Sequence, residues 1–198
     1  MELRELLSQR RMVRSFDDTP VDQQWLDELC ATALWAPTAG NAAGVRMHTI
    51  GAELVGPYFE VATDEAWRQS ARRAEGLQRC GGIVLVTSSP SAYVARYAES
   101  DKSSSGLDDE SAWPVPYWHT DAAMATMALL LLIEESGWRA ALWGNFRHES
   151  EIRSWARITD EQLFATVLVG RADGNDVTSS SLGRNVPRRS ERVRRVVP

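Results

Sequence analysis

Lysine is almost missing from this chain of 198 residues: Lys102 stands alone against 21 arginines. A single lysine in a Ser-rich stretch argues against a Schiff-base mechanism and makes no P-loop, whose GxxxxGK signature is absent. Cysteine is equally sparse. Cys30 and Cys80 have neither CxxC nor framework spacing, which reads as two reduced thiols. No apolar run reaches membrane-spanning length; the longest, Met127–Ile133, is too short and has polar neighbours. The first residues, Met-Glu-Leu-Arg-Glu, lack the basic-then-apolar order of a signal peptide, so the expectation is a cytoplasmic protein without a membrane partner. No GxGxxG follows a strand and no GxSxG elbow occurs. His48, His119 and His148 lack the spacing of a zinc site, and no metal is expected. The carboxylates are scattered over polar faces, so reactivity would have to come from a bound cofactor.

What is present is an ordinary globular composition, 43% hydrophobic and 25% charged, long enough for one domain with a real core. Residues 1–183 are read as that domain and 184–198 as an arginine-rich tail. The net charge of −5 argues against a nucleic-acid partner.

Leu3, Leu6 and Leu7 predict a short helix over residues 2–10. Asp22 predicts the cap of a second helix whose apolar face holds Trp25, Leu26, Leu29, Ala33 and Leu34, ended by Pro37. Val45–Ile50 and Phe164–Val169 read as strands. Ile83–Thr87 is a continuous apolar run typical of a buried central strand. Residues 64–79 read as one polar helix, 92–98 as a short helix, and 99–112 as a mobile loop. Residues 120–136 form a long helix, apolar nearly all round and ended by Gly137, which is expected to be buried on several sides, either as the central helix of the domain or in a subunit interface. Trp138–Phe146 reads as an aromatic loop, and 148–156 as a last helix. The sum is a helix-rich α+β fold.

Two stretches concentrate the chemistry. Arg10-Arg11-Met12-Val13-Arg14-Ser15-Phe16 packs three arginines into five residues after a helix. Ala36-Pro37-Thr38-Ala39-Gly40-Asn41 is a rigid loop after the next helix. Arginine forks bind phosphate bidentately and keep their charge. For the arginines, a solvated helix end is the competing reading.

These stretches, with Asp121 opening the long helix, Trp143-Gly144-Asn145-Phe146, Val169-Gly170 and Pro187-Arg188-Arg189, resemble the nitroreductase family of FMN-dependent oxidoreductases over nearly the whole chain. The 90–102 and 113–121 stretches are similar to an actinobacterial branch of it. The resemblance implies a nitroreductase-like fold, with helices around a small central mixed or antiparallel sheet. It also implies a homodimer with FMN at the interface, and ping-pong hydride transfer from NAD(P)H to a small aromatic acceptor, nitroaromatic or quinone. By the same analogy Arg10, Arg11, Met12 and Arg14 meet the phosphate and ribityl side, joined by Arg188 or Arg189. Pro37, Thr38, Ala39 and Asn41 lie against the ring, with Trp143 beside it. Gly144 presents a backbone N–H near flavin N5, and no side chain is the catalyst. Two departures stand out: Met12 replaces the family's serine, and Ala43-Gly44-Val45 replaces its Q-P-W. Alternatives are an oxygen-using flavin dehydrogenase of a specialised metabolite and a non-catalytic FMN-storage protein.

Overall fold

The computed structural model describes residues 2–145, 147–177 and 179–196. Phe146, part of the motif quoted above, lies outside them. The apolar run 83–87 is the heart of β2 (Gly82–Ser88), every residue of which is buried. A strand with no solvated face needs cover on both sides and partners on both edges. β1 (Val45–Ile50) and β4 (Gln162–Gly170) pair with it antiparallel, and β3 (Arg139–Trp143) flanks β4, giving the order β1-β2-β4-β3. The sheet is antiparallel throughout.

Side chains alternate between its faces, as a period of two requires. Val84, Val86, Val167 and Val169 meet α2 (Gln23–Ala33) and α7 (Tyr117–Glu135) through Leu26, Cys30, Ala33, Ala122, Leu129 and Ile133. Ile83, Leu85 and Leu168 meet α3 (Val55–Ala62) and α8 (Glu149–Trp155) through Tyr58, Phe59 and Ile152. Cys30 and Cys80 are free thiols inside these two cores, and burial pushes both up to about 12.

Local signals set several ends. Asp22 accepts the Trp25 N–H at 2.8 Å and caps α2. Ser89 and Pro90 open α6 (Pro90–Tyr97). Gly137, at φ +79°, follows α7 in the left-handed conformation that glycine tolerates. α7 begins three residues before the expected 120, because the Pro116 carbonyl accepts from the His119 N–H.

Three expectations need correction. The loop expected at 138–146 is instead the strand β3 up to Trp143. Its two central alanines carry no β-propensity, and the ladder to β4 makes the strand. The single helix expected over 64–79 is two: α4 (Glu65–Ser70) and α5 (Ala74–Gln78), separated where Ala71 turns extended. Residues 99–112 contain two short 3-10 turns, Ser103–Ser105 and Glu110–Ala112. Arg96 braces the start of this stretch by pairing with Asp101.

His48, isolated in sequence, bonds buried Glu161 through Nε2 at 2.8 Å; Arg46 and Thr87 join the same carboxylate. Burial alone would raise Glu161, and these donors more than offset it, holding the carboxyl below its ordinary range.

On the far side of α7 the apolar surface is left partly uncovered. Leu131, Leu132 and Ala128 line a groove of about 430 Å³ with Leu3, Leu6 and Trp35. Trp35 is 85% exposed and Leu3 59%. Residues 184–196 run along the surface, exposed throughout. Among the described residues no helix is long and apolar enough to cross a membrane.

Candidate functional site

The arginine run leaves α1 (Leu3–Gln9) and passes along the outer edge of β3, where Met12 bridges Ala140 and the Val13 N–H donates to the Ala140 carbonyl at 3.0 Å. Gly76 lets it pass: a Cβ there would meet the Arg14 carbonyl at 2.8 Å. Met12 turns its sulfur to β3, accepting the Leu142 N–H at 3.3 Å, which commits the side chain to the sheet rather than to a ligand. Arg11 is exposed and bonds the Ser8 and Arg10 carbonyls; Arg14 reaches only the Met12 carbonyl, at 3.4 Å. Among the described residues no carboxylate pairs with Arg10, Arg11 or Arg14, whereas Arg46, Arg79, Arg96, Arg139 and Arg153 all have acidic partners. Arg10 Nη1 is buried and has no hydrogen-bond partner. A buried, unpaired guanidinium N–H is costly unless something accepts from it. The run therefore fits an anion such as a phosphate.

The proline loop is built differently. The helix before it already ends at Ala33, and Pro37 falls in the loop beyond. Ala39–Asn41 form one 3-10 turn in which Gly40 and Asn41 are left-handed, at φ +62° and +57°. The Ala39 N–H donates to buried Asp121 at 2.7 Å, and the Tyr93 hydroxyl donates to the same oxygen at 2.7 Å. Burial and the neighbouring Asp121 push the Tyr93 phenol far above its ordinary range. Arg96 Nε donates to the Gly40 carbonyl at 2.8 Å. Pro37 and Asn41 stay exposed, and Thr38 caps nothing. Gly44 occupies part of the Q-P-W position because Tyr93 fills the space: a Cβ there would lie 2.5 Å from the ring.

A third piece surrounds the end of β3. Trp143, Gly144, Asn145, Trp67, Asp64 and His148 line a cavity of about 300 Å³. Asn145 is fixed by Thr166 Oγ1 at 2.8 Å, and Tyr58 reaches both residues, which sets the chain just after Gly144. His148 Nε2 lies 3.2 Å from Asp64 at the rim. Trp67 was not legible as a site residue; its one signal is a lone tryptophan in a polar helix.

The structure brings some of these pieces together. From Ala140, beside Met12, to Gly144 is four strand residues, about 13 Å. The arginine run and Gly144 thus share one edge of β3. The proline loop begins beside α1, Ala36 lining one groove with Leu3 and Leu6, and its turn Ala39–Asn41 lies further off. It is tied to Asp121 at the start of α7, whereas α1 packs beside Leu131 and Leu132, ten or so residues on, about 15 Å along the helix. No described hydrogen bond joins the two stretches. Nor does a described hydrogen bond or ion pair tie Arg188 or Arg189 to the run; Arg188 instead donates its N–H to Glu191 at 3.0 Å. Among the described residues no cluster is arranged to hold a metal ion.

A sequence model of the Nitroreductase family matches residues 7–171. Among solved structures, the nitroreductase CinD from Lactococcus lactis in complex with 4-nitrophenol superposes with a TM-score of 0.76 at 12% identity, covering 99% of this chain and 100% of that one. A Staphylococcus epidermidis protein described as an NAD(P)H:FMN oxidoreductase gives 0.71 at 15% identity, covering 99% and 96%. A Bacillus subtilis protein described as the nitroreductase YdfN gives 0.71 at 16%, covering 98% of each chain. At such identities the likeness is one of fold. No curated protein matches the sequence significantly.

Proposed function

The chain belongs to the nitroreductase family, and on that premise we propose that it is an FMN-dependent oxidoreductase. It would draw hydride from NAD(P)H and pass it, in ping-pong order, to a flat electron acceptor of the nitroaromatic or quinone class. The observation that carries this reading is the arginine run: among the described residues its three guanidinium groups have no carboxylate partner, and one buried N–H of Arg10, like the Nε of Arg73 and Arg79, has no partner at all. Arg10, Arg11 and Arg14 would hold the FMN phosphate. Charge-assisted bonds of this kind are about twice as strong as neutral ones. Arg188 and Arg189, on an exposed tail, would reach it from outside.

FMN, when bound, supplies the two-electron chemistry. The protein's part is orientation and charge. Gly144, held at the end of β3 by the Asn145–Thr166 contacts, would donate its backbone N–H toward the ring's N5 region and favour negative charge there. Trp143 would bound the ring pocket. Met12, with its side chain turned to the strand, would contribute backbone only.

Pro37, Thr38, Ala39 and Asn41 would come from a second copy of the chain. What supports the assignment is the lack of a described hydrogen bond between loop and run, and the partly uncovered groove of Trp35, Ala36, Leu3 and Leu131. Each large apolar side chain buried there is worth about 1.5–3 kcal/mol before the cost of association. A homodimer with FMN at its interface follows.

The visible spectrum of purified protein tests the reading. A flavin spectrum that bleaches on anaerobic addition of NADH or NADPH and returns on addition of a quinone is expected. Colourless protein that takes up no FMN contradicts it.

A further inference from the structure

We infer that Trp67, together with Trp143, is the stacking wall for the flavin ring, a contact supplied by α4. The inference rests on the FMN reading above. Phe59, Trp67 and Trp143 form a cluster of nearly parallel rings, with interplanar angles of 5° between Phe59 and Trp67, 25° between Phe59 and Trp143, and 22° between Trp67 and Trp143. Their centroids lie 5.4–6.4 Å apart, the offset arrangement that aromatic rings favour. Phe59 is fully buried behind the other two, while both indoles stay partly open and line the 300 Å³ cavity.

The position of Trp67 is built rather than incidental. α4 has only six residues and buries none of them fully; its core contact is Trp67, packed against Phe59 and Trp143. Arg68 adds a polar tie. Its Nη1 donates to the Thr63 carbonyl at 2.6 Å, Thr63 Oγ1 at 3.1 Å and the Phe59 carbonyl at 3.2 Å, tying the short helix to the end of α3. That clamp fixes the indole of the preceding residue beside Gly144, where the ring is placed by the reading above. A flat wall of this kind suits a flat ring, and 300 Å³ is at the lower end of small-ligand sites, room for one ring system. The chain has also given up an aromatic elsewhere, carrying Ala43-Gly44-Val45 where a tryptophan would stand. Trp67 returns an aromatic surface from a different element.

An indole stacked on a flavin quenches its emission, because it donates an electron to the photoexcited ring, which then returns it; a phenyl ring does not. The test is an FMN titration of flavin-free protein, read by flavin emission and by affinity. Wild type is expected to bind FMN and darken it. W67L is expected to bind about fivefold to a hundredfold more weakly, the range for loss of one stacking aromatic. W67F fills the same place beside Phe59 without the indole, so it should keep affinity within about tenfold while releasing part of the emission; W67F/W143F should release most of it. A W67F/W143F protein as dark as wild type overturns the inference, as does unchanged FMN affinity in folded W67L. Wild type that binds no FMN overturns the FMN reading and this inference together, so the two failures are distinct.

Discussion

The arginine run and the proline loop are both short, both follow a helix and both carry the family's motifs, yet the structure treats them oppositely. In the loop the backbone is pinned, the Ala39 N–H on Asp121, the Gly40 carbonyl on Arg96, and Arg96 in turn on Asp101, while the Thr38 and Asn41 side chains make no described hydrogen bond. In the run the backbone is spent on β3 while the guanidinium groups keep their charge unmatched. A segment that satisfies itself is a shaped surface, complete before any ligand arrives. A segment with an unpartnered buried N–H is half of an interaction. On the proposed reading the run is the phosphate grip still to be filled, and the loop is a rigid face to be placed against it.

The largest expected effect strikes the loop. Asp121→Ala leaves the buried Tyr93 hydroxyl and the Ala39 N–H without an acceptor, at about 1–3 kcal/mol each. Urea unfolding should show a loss of about 3 kcal/mol, and Tyr93→Phe a smaller one. A loss under about 1 kcal/mol would mean that the loop is not pinned as described.

Arg10→Ala should do the reverse. The urea midpoint should hold, because the guanidinium makes no ion pair to lose. FMN affinity should fall about tenfold to a hundredfold, from the loss of charge-assisted bonds of about 1.5–3 kcal/mol. Riboflavin, lacking the phosphate, should bind the variant and wild type alike in the same titration.

Smaller still is the strain next to the loop. Ala43 sits at φ +49°, where an L-residue pays roughly 1–2 kcal/mol. Ala43→Gly should raise stability by up to about 1 kcal/mol, the gain being trimmed by the greater freedom of an unfolded glycine. Gly40→Ala should lower it, since its Cβ would fall 2.7 Å from the Tyr97 ring at a left-handed φ.

The smallest effect is one of pH. The hydrogen bond from Arg96 holds the Asp101 carboxyl below its ordinary 3.8. A depressed carboxyl supports the fold fully above the unfolded value and loses that support as pH falls through the folded one. The Gly40 amide resonance should therefore shift with a midpoint below 3.8, while the Arg10 and Arg14 side-chain resonances, with no carboxylate beside them, should show no matching step.

Much of this was readable from the chain because the signals were local. The apolar run Ile83–Thr87 dictates a central strand, and Asp22 dictates a cap. Other parts were hidden by their context. β3 centres on two alanines and exists because β4 and Met12 flank it. The loop's shape is set by Asp121, 82 residues away, and the clamp that orients Trp67 is an arginine whose acceptors are carbonyls. The pairing of run and loop was visible as motif, and the proposal is that a second copy of the chain completes it.

That last point is the central claim, and subunit mixing tests it most directly. One variant carries Arg10→Ala and Arg14→Ala; a second carries Thr38→Glu and Asn41→Asp, which place acid on the exposed loop. If each site takes its run from one copy and its loop from the other, neither variant alone binds FMN. Mixed dimers, identified by a tag on one variant, then regain one intact site per dimer. FMN bound by the mixed dimers at one per dimer is the predicted result. Mixed dimers that form and bind none would contradict it, since run and loop of a single chain would then have to serve the same site.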